Sequence, residues 1–175
     1  MRATPIAVFA LAALLPLTAC DDTGGDGKPE SAACSLDEVS VAAGPASVAP
    51  AAGDTGEVPV SLTNRSATCT LDGFPRVRLA TAGDSDALLL SPAEGAKAQK
   101  LTLAKGDSAS FTLTYVRGPA DDGWNATTLR VALADDPGGS GGPGEQAFRW
   151  SYGPVARKDG GTLDATVSAY QRAGD

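Results

Sequence analysis

The chain contains no histidine. That removes imidazole acid/base chemistry near neutral pH, every His-ligated metal site and every triad built on a ring nitrogen. The acid/base groups left are the 21 Asp and Glu. Acidic pairs stand at Asp84/Asp86, Asp121/Asp122 and Asp135/Asp136, all in turn-like sequence where solvated carboxylates are common. None satisfies the spacing of an EF-hand loop. The second and third pairs flank the segment Thr127 to Ala134, which as a strand holds them ~25 Å apart, too far to share an ion. No metal site and no cofactor are expected. A nucleophilic Ser–Lys dyad is absent, because no serine lies three residues before any lysine. The run Gly138 to Gly144 formally satisfies both G-x-S-x-G and G-x-G-x-x-G. A nucleophile elbow needs a strand-to-helix turn and a partner base, and a dinucleotide loop needs a helix N-terminus; Pro143 followed by a strand supplies neither. A facing pair of carboxylates suited to glycoside hydrolysis is the one enzymatic alternative left, and spacing assigns it no residues. The expectation is a non-catalytic protein.

Two further residue sets bear on binding. Phe148, Trp150 and Tyr152 alternate with Arg149 and Ser151, so in a strand they share one face over ~13 Å. Exposed, such flat rings stack on sugars and would make a carbohydrate-binding module; turned inward, they are core, the expectation for a chain with only 5% aromatics. Trp124 stands outside any periodic pattern and is either a loop plug or an exposed contact. Of the three cysteines, Cys20 follows Arg2, the apolar run Ile6 to Leu17 and the triplet Leu17-Thr18-Ala19. The run is too short to span a bilayer and has the length of a secretory h-region, and the triplet before Cys20 resembles the bacterial lipobox. The sequence therefore predicts a signal peptide over 1–19 and a lipidated Cys20 as the first mature residue. The polar segment Asp21 to Ser31 reads as a flexible tether, with 20–33 as a whole holding the domain on the order of 20 Å from the membrane. Cys34 and Cys69 remain in an oxidising compartment and are expected to pair, two separate buried thiols being the alternative.

These residues must be positioned by a folded domain, and the composition supports one: 42% hydrophobic, 20% charged. The formal net charge is −7, and no window of five residues holds more than two Lys or Arg, which argues against nucleic acid as a partner. From Cys34 onward the apolar pattern has period two. It is clear at Val58/Val60/Leu62, Val77/Leu79, Phe111/Leu113/Tyr115, Leu129/Val131/Leu133 and Phe148/Trp150/Tyr152. It is weaker over Leu36 to Val41, Leu88 to Leu90, Leu101 to Leu103 and Leu163 to Val167. Turn dipeptides such as Asp72-Gly73, Lys105-Gly106 and Asp122-Gly123 punctuate the strands, and no amphipathic helix lies between them. An all-β, antiparallel, immunoglobulin-like sandwich of eight or nine strands follows, spanning 34–171, with Asp135 to Gly144 as a mobile loop.

The stretch Val58-Pro-Val-Ser-Leu-Thr-Asn64-Arg-Ser-Ala-Thr-Cys69-Thr-Leu-Asp-Gly73-Phe74-Pro75 resembles the signature of the DUF4232 domain, found in small secreted actinobacterial lipoproteins. Cys34-Ser-Leu, the segment Leu103 to Ser110 and Gly161-Thr-Leu-Asp-Ala-Thr-Val resemble the same family. The resemblance implies a β-sandwich with a Cys34–Cys69 disulfide and carries over no catalytic residue. The second cysteine pair that many members carry is absent. The sequence-based expectation for function is a lipoprotein on the outer face of the cytoplasmic membrane, its sandwich binding a protein or cell-envelope polymer.

Overall fold

The computed structural model describes residues 31–84, 86–134, 144–158 and 160–173. The expected signal peptide, Cys20, the tether up to residue 30 and residues 135–143 of the glycine-rich loop lie outside the described residues. Among the described residues twelve strands form: β1 (Val39–Ala43), β2 (Thr55–Asn64), β3 (Cys69–Leu71), β4 (Arg76–Ala80), β5 (Ala87–Leu89), β6 (Ser91–Pro92), β7 (Leu101–Leu103), β8 (Ser108–Val116), β9 (Thr128–Ala132), β10 (Gln146–Arg149), β11 (Ala165–Val167) and β12 (Gln171–Arg172). They assemble as a six-stranded sheet in the order β1-β2-β8-β11-β6, with β12 also on β8. A four-stranded sheet, β10-β9-β4-β5, and the small pair β3-β7 complete the sandwich. The pairing is antiparallel except where β11 meets β6, Thr166 opposite Ser91 and Val167 opposite Pro92.

Period two does the folding work. Along β2 every second residue from Gly56 to Asn64 is buried, and β8 repeats the alternation over nine residues. Their register sets Val58 opposite Leu113, Val60 opposite Phe111 and Leu62 opposite Ala109. Val77 and Leu79 of β4 and Leu129 and Val131 of β9 supply the second sheet's inner face to the same core. Each fully buried aliphatic side chain contributes about 1.5–3 kcal/mol, so these layers dominate the stability.

The expected disulfide joins Cys34 to Cys69. The first strand begins at Val39 rather than Leu36, because residues 36–38 turn back onto Ser35, whose carbonyl accepts from the N–H groups of Glu38 and Val39. β1 then pairs with β2 along its whole length, Val39 opposite Asn64 through Ala43 opposite Val60. Backbone bonds hold β1, and the disulfide instead secures the residues before it. There the Cys34 N–H donates to the Thr70 carbonyl, the Thr70 N–H donates to Ala32, and Ala33 makes a parallel bridge with Thr70. The Ser31 carbonyl accepts from the Thr70 hydroxyl.

Candidate functional site

The residues with the most chemical potential in the sequence are largely spent inside the fold. β10 ends at Arg149, so the three aromatic residues do not form one straight ladder. The Trp150 N–H still donates to Thr127, but its indole N–H then donates to the Gly153 carbonyl at 2.7 Å and closes a turn. Gly153 sits at φ 88°, a conformation that favours glycine. Trp150 is 4% exposed, while Phe148 and Tyr152 are half-buried. Trp150 packs edge-on against both Tyr115 (5.0 Å) and Tyr152 (4.9 Å). The Tyr115 hydroxyl donates to the Tyr152 carbonyl and accepts from the Ala49 N–H, pinning loop 44–54 to the cluster. The ring itself lies over Gly56, directly opposite on β2. Trp124 is 8% exposed, its indole nitrogen has no hydrogen-bond partner, and the Arg157 guanidinium covers its ring at 4.6 Å.

The segment Asn64 to Pro75 is a cross-linked corner. Asn64 is fully buried; its amide donates to the carbonyls of Ala67 and Leu103, and its oxygen accepts from the Ser66 N–H. Asp72 accepts from the Gly73 N–H where the chain turns through φ 77°, and buried Pro75 leads into β4. These side chains shape the corner, and the amide of Asn64 spends both its nitrogen and its oxygen on the backbone there. Asp121 and Asp122 are exposed, and Asp135/Asp136 lies outside the described residues. Among the described residues no group of three or more Cys, Asp or Glu is close enough to hold a metal ion.

A different feature stands on the outer face of the four-stranded sheet, and the sequence reading did not single it out. The pairing aligns Leu89, Arg78, Arg130 and Ala147 in one row across β5, β4, β9 and β10. The next row is Ala87, Ala80, Thr128 and Arg149. Arg76 lies two residues before Arg78 on the same face, so four of the chain's 14 basic residues share it, all of them arginine. Arg78 and Arg130 are directly opposed, an arrangement that destabilises a sheet unless a counter-charge is supplied. Glu145, one residue before β10, supplies it. Its side chain is only 5% exposed and its two oxygens lie 3.4 Å from Arg78 and 3.6 Å from Arg130. Arg76 and Arg149 form no ion pair with any described residue, and Leu89, 54% exposed, ends the first row. The signal for this face was available: arginine alternates with Val77, Leu79, Leu129, Val131 and Phe148, so period two puts all four guanidinium groups opposite the core.

Comparison with known families adds one finding. Residues 34–171 match the model of a family described as a domain of unknown function, DUF4232. No curated protein matches the chain.

Proposed function

The chain belongs to the DUF4232 family, and from that premise we propose that it is an exported lipoprotein of actinobacterial type that presents a non-catalytic sandwich for binding a protein or cell-envelope partner. In this reading residues 1–19 direct export, and acylated Cys20 anchors the mature chain on the outer face of the cytoplasmic membrane. Residues from Cys20 onward tether the sandwich above the bilayer. The observation that carries the binding role is the arginine face of the four-stranded sheet. It gathers four cations on one face of a chain whose net charge is −7, two of them directly opposed and held side by side by Glu145. Arginine is also among the residues enriched at protein-binding surfaces. The aromatic residues support a carbohydrate-binding module less well, since Trp150 is buried and Trp124 is covered by Arg157.

Anchoring is tested by Cys20→Ala in cells. One acyl chain holds a protein weakly and two or more hold it stably at ~0.8 kcal/mol per buried CH₂, so the variant is expected to leave the membrane fraction or remain unprocessed. A variant that still fractionates as mature, membrane-bound protein would overturn the lipoprotein reading.

A further inference from the structure

The four arginines do not form a compact cluster. With strands about 4.8 Å apart and ~3.4 Å per residue, Arg76, Arg78, Arg130 and Arg149 step diagonally across β4, β9 and β10 over ~17 Å between their end Cα atoms. The middle two are bridged by Glu145 and thereby fixed in place; the outer two, half-buried Arg76 and exposed Arg149, carry no such bridge. Exposed Leu89 flanks the track beside Arg78 on the edge strand β5.

We propose that this diagonal arginine track, with Leu89 beside it, is a docking surface for an extended acidic segment of a partner protein, one carrying several carboxylates and at least one large apolar side chain. The proposal rests on the binding role argued above and names the partner's chemistry. Three observations select it. All four cations are arginine, whose planar fork engages carboxylates in bidentate fashion where lysine offers a point charge. The charges are spaced along a line, which suits an extended chain better than a single small anion. Leu89 gives an apolar side chain somewhere to bury, a contact of no use to a purely anionic polymer. Glu145 is a positioning residue in this scheme: it holds Arg78 and Arg130 side by side despite their like charge.

The test is a titration of the purified full chain with a fluorescein-labelled oligo-glutamate peptide carrying a central leucine, and in parallel with inorganic polyphosphate. The peptide is expected to bind at about 50 mM salt and to weaken steeply as salt rises, because exposed charges are then screened. Arg76→Ser/Arg149→Ser should weaken peptide binding about tenfold while leaving the melting temperature unchanged, since neither side chain is ion-paired with any described residue. Leu89→Ser should weaken it severalfold without altering the salt dependence. Absence of peptide binding at low salt, or equal binding by the double arginine variant, would overturn the proposal. Preference for polyphosphate would overturn the choice of an acidic protein segment. None of these outcomes bears on Cys20 anchoring, which is read separately in cells.

Discussion

Gly56→Ala should destabilise the domain, although backbone considerations alone predict the reverse. Gly56 is the second residue of β2 and is not among the glycines with positive φ, so on conformational grounds alanine would gain about 0.4–1 kcal/mol by restricting the unfolded chain. Packing reverses the sign. A methyl group there would lie 2.5–2.7 Å from Cε1, Cζ and the hydroxyl oxygen of Tyr115, so the ring would have to retreat by about 1 Å to reach ordinary contact distance. Tyr115 is fully buried and held on three sides: by its bond to the Tyr152 carbonyl at 3.1 Å, by the Ala49 N–H at 3.3 Å and by the Trp150 ring. Overpacking costs about 1–3 kcal/mol and each broken hydrogen bond about 0.5–1.5, for a net loss of roughly 2–5 kcal/mol. At roughly 3 °C per kcal/mol for a domain of this size, Tm should fall by about 6 to 15 °C. Thermal and urea unfolding of the wild type, Gly56→Ala, Tyr115→Leu and the double variant close a mutant cycle. With the ring removed, the Gly56→Ala step should become neutral or stabilising. A single variant within about 0.5 kcal/mol of wild type, or an equal cost in both backgrounds, would refute the packing argument.

Three other outcomes follow from the interior. Cys34→Ser/Cys69→Ser should cost about 4 kcal/mol by the chain-entropy model for a separation of 35 residues, read by denaturant unfolding, with the Cys34–Cys69 link seen by mass spectrometry of non-reduced peptides from the wild type. The loss should loosen the segment from Ser31 to Cys34 before β1, measurable as faster amide exchange at Cys34 and Thr70 than at Val39 to Ala43. Asn64→Ala should cost about 1–3 kcal/mol, since it removes the buried amide's bonds to the Ala67 and Leu103 carbonyls and the acceptor of the Ser66 N–H, and unfolding midpoints check it. Trp150→Ala should cost about 3–5 kcal/mol and abolish the near-ultraviolet circular dichroism of the edge-on pair with Tyr115.

The strands that carry the core were legible because alternation is a direct consequence of strand geometry. Val58/Val60/Leu62 and Phe111/Leu113/Tyr115 mark β2 and β8, and the structure places them opposite one another. Short pieces such as β6, β12 and β3 were not, because two or three residues carry no period; they exist through their partners, β11, β8 and β7. The disulfide partners were readable from compartment and number, whereas the disulfide's role depended on where β1 begins, set by the turn on Ser35. The aromatic ladder was misjudged as one strand face because Gly153 and Pro154, just beyond it, end the strand early, leaving Trp150 to cap the core from a turn. The arginine face escaped notice for a related reason. Its members come from three strands separated by up to 73 residues, and no local window of sequence concentrates them.

The most direct test of the account places a photo-activatable phenylalanine analogue at position 89 or at position 48 of the full chain in living cells. Leu89 and Val48 are the two exposed large apolar residues among those described, but Leu89 flanks the arginine track whereas Val48 lies in the β1–β2 loop, next to Ser47, which bridges to Glu57 of the six-stranded sheet. Irradiation is expected to give a discrete protein adduct from position 89, lost on Arg76→Ser/Arg149→Ser, and none from position 48. Adducts from position 48 alone, or an adduct at position 89 that survives loss of both arginines, would contradict the assignment of the four-stranded sheet as the binding face.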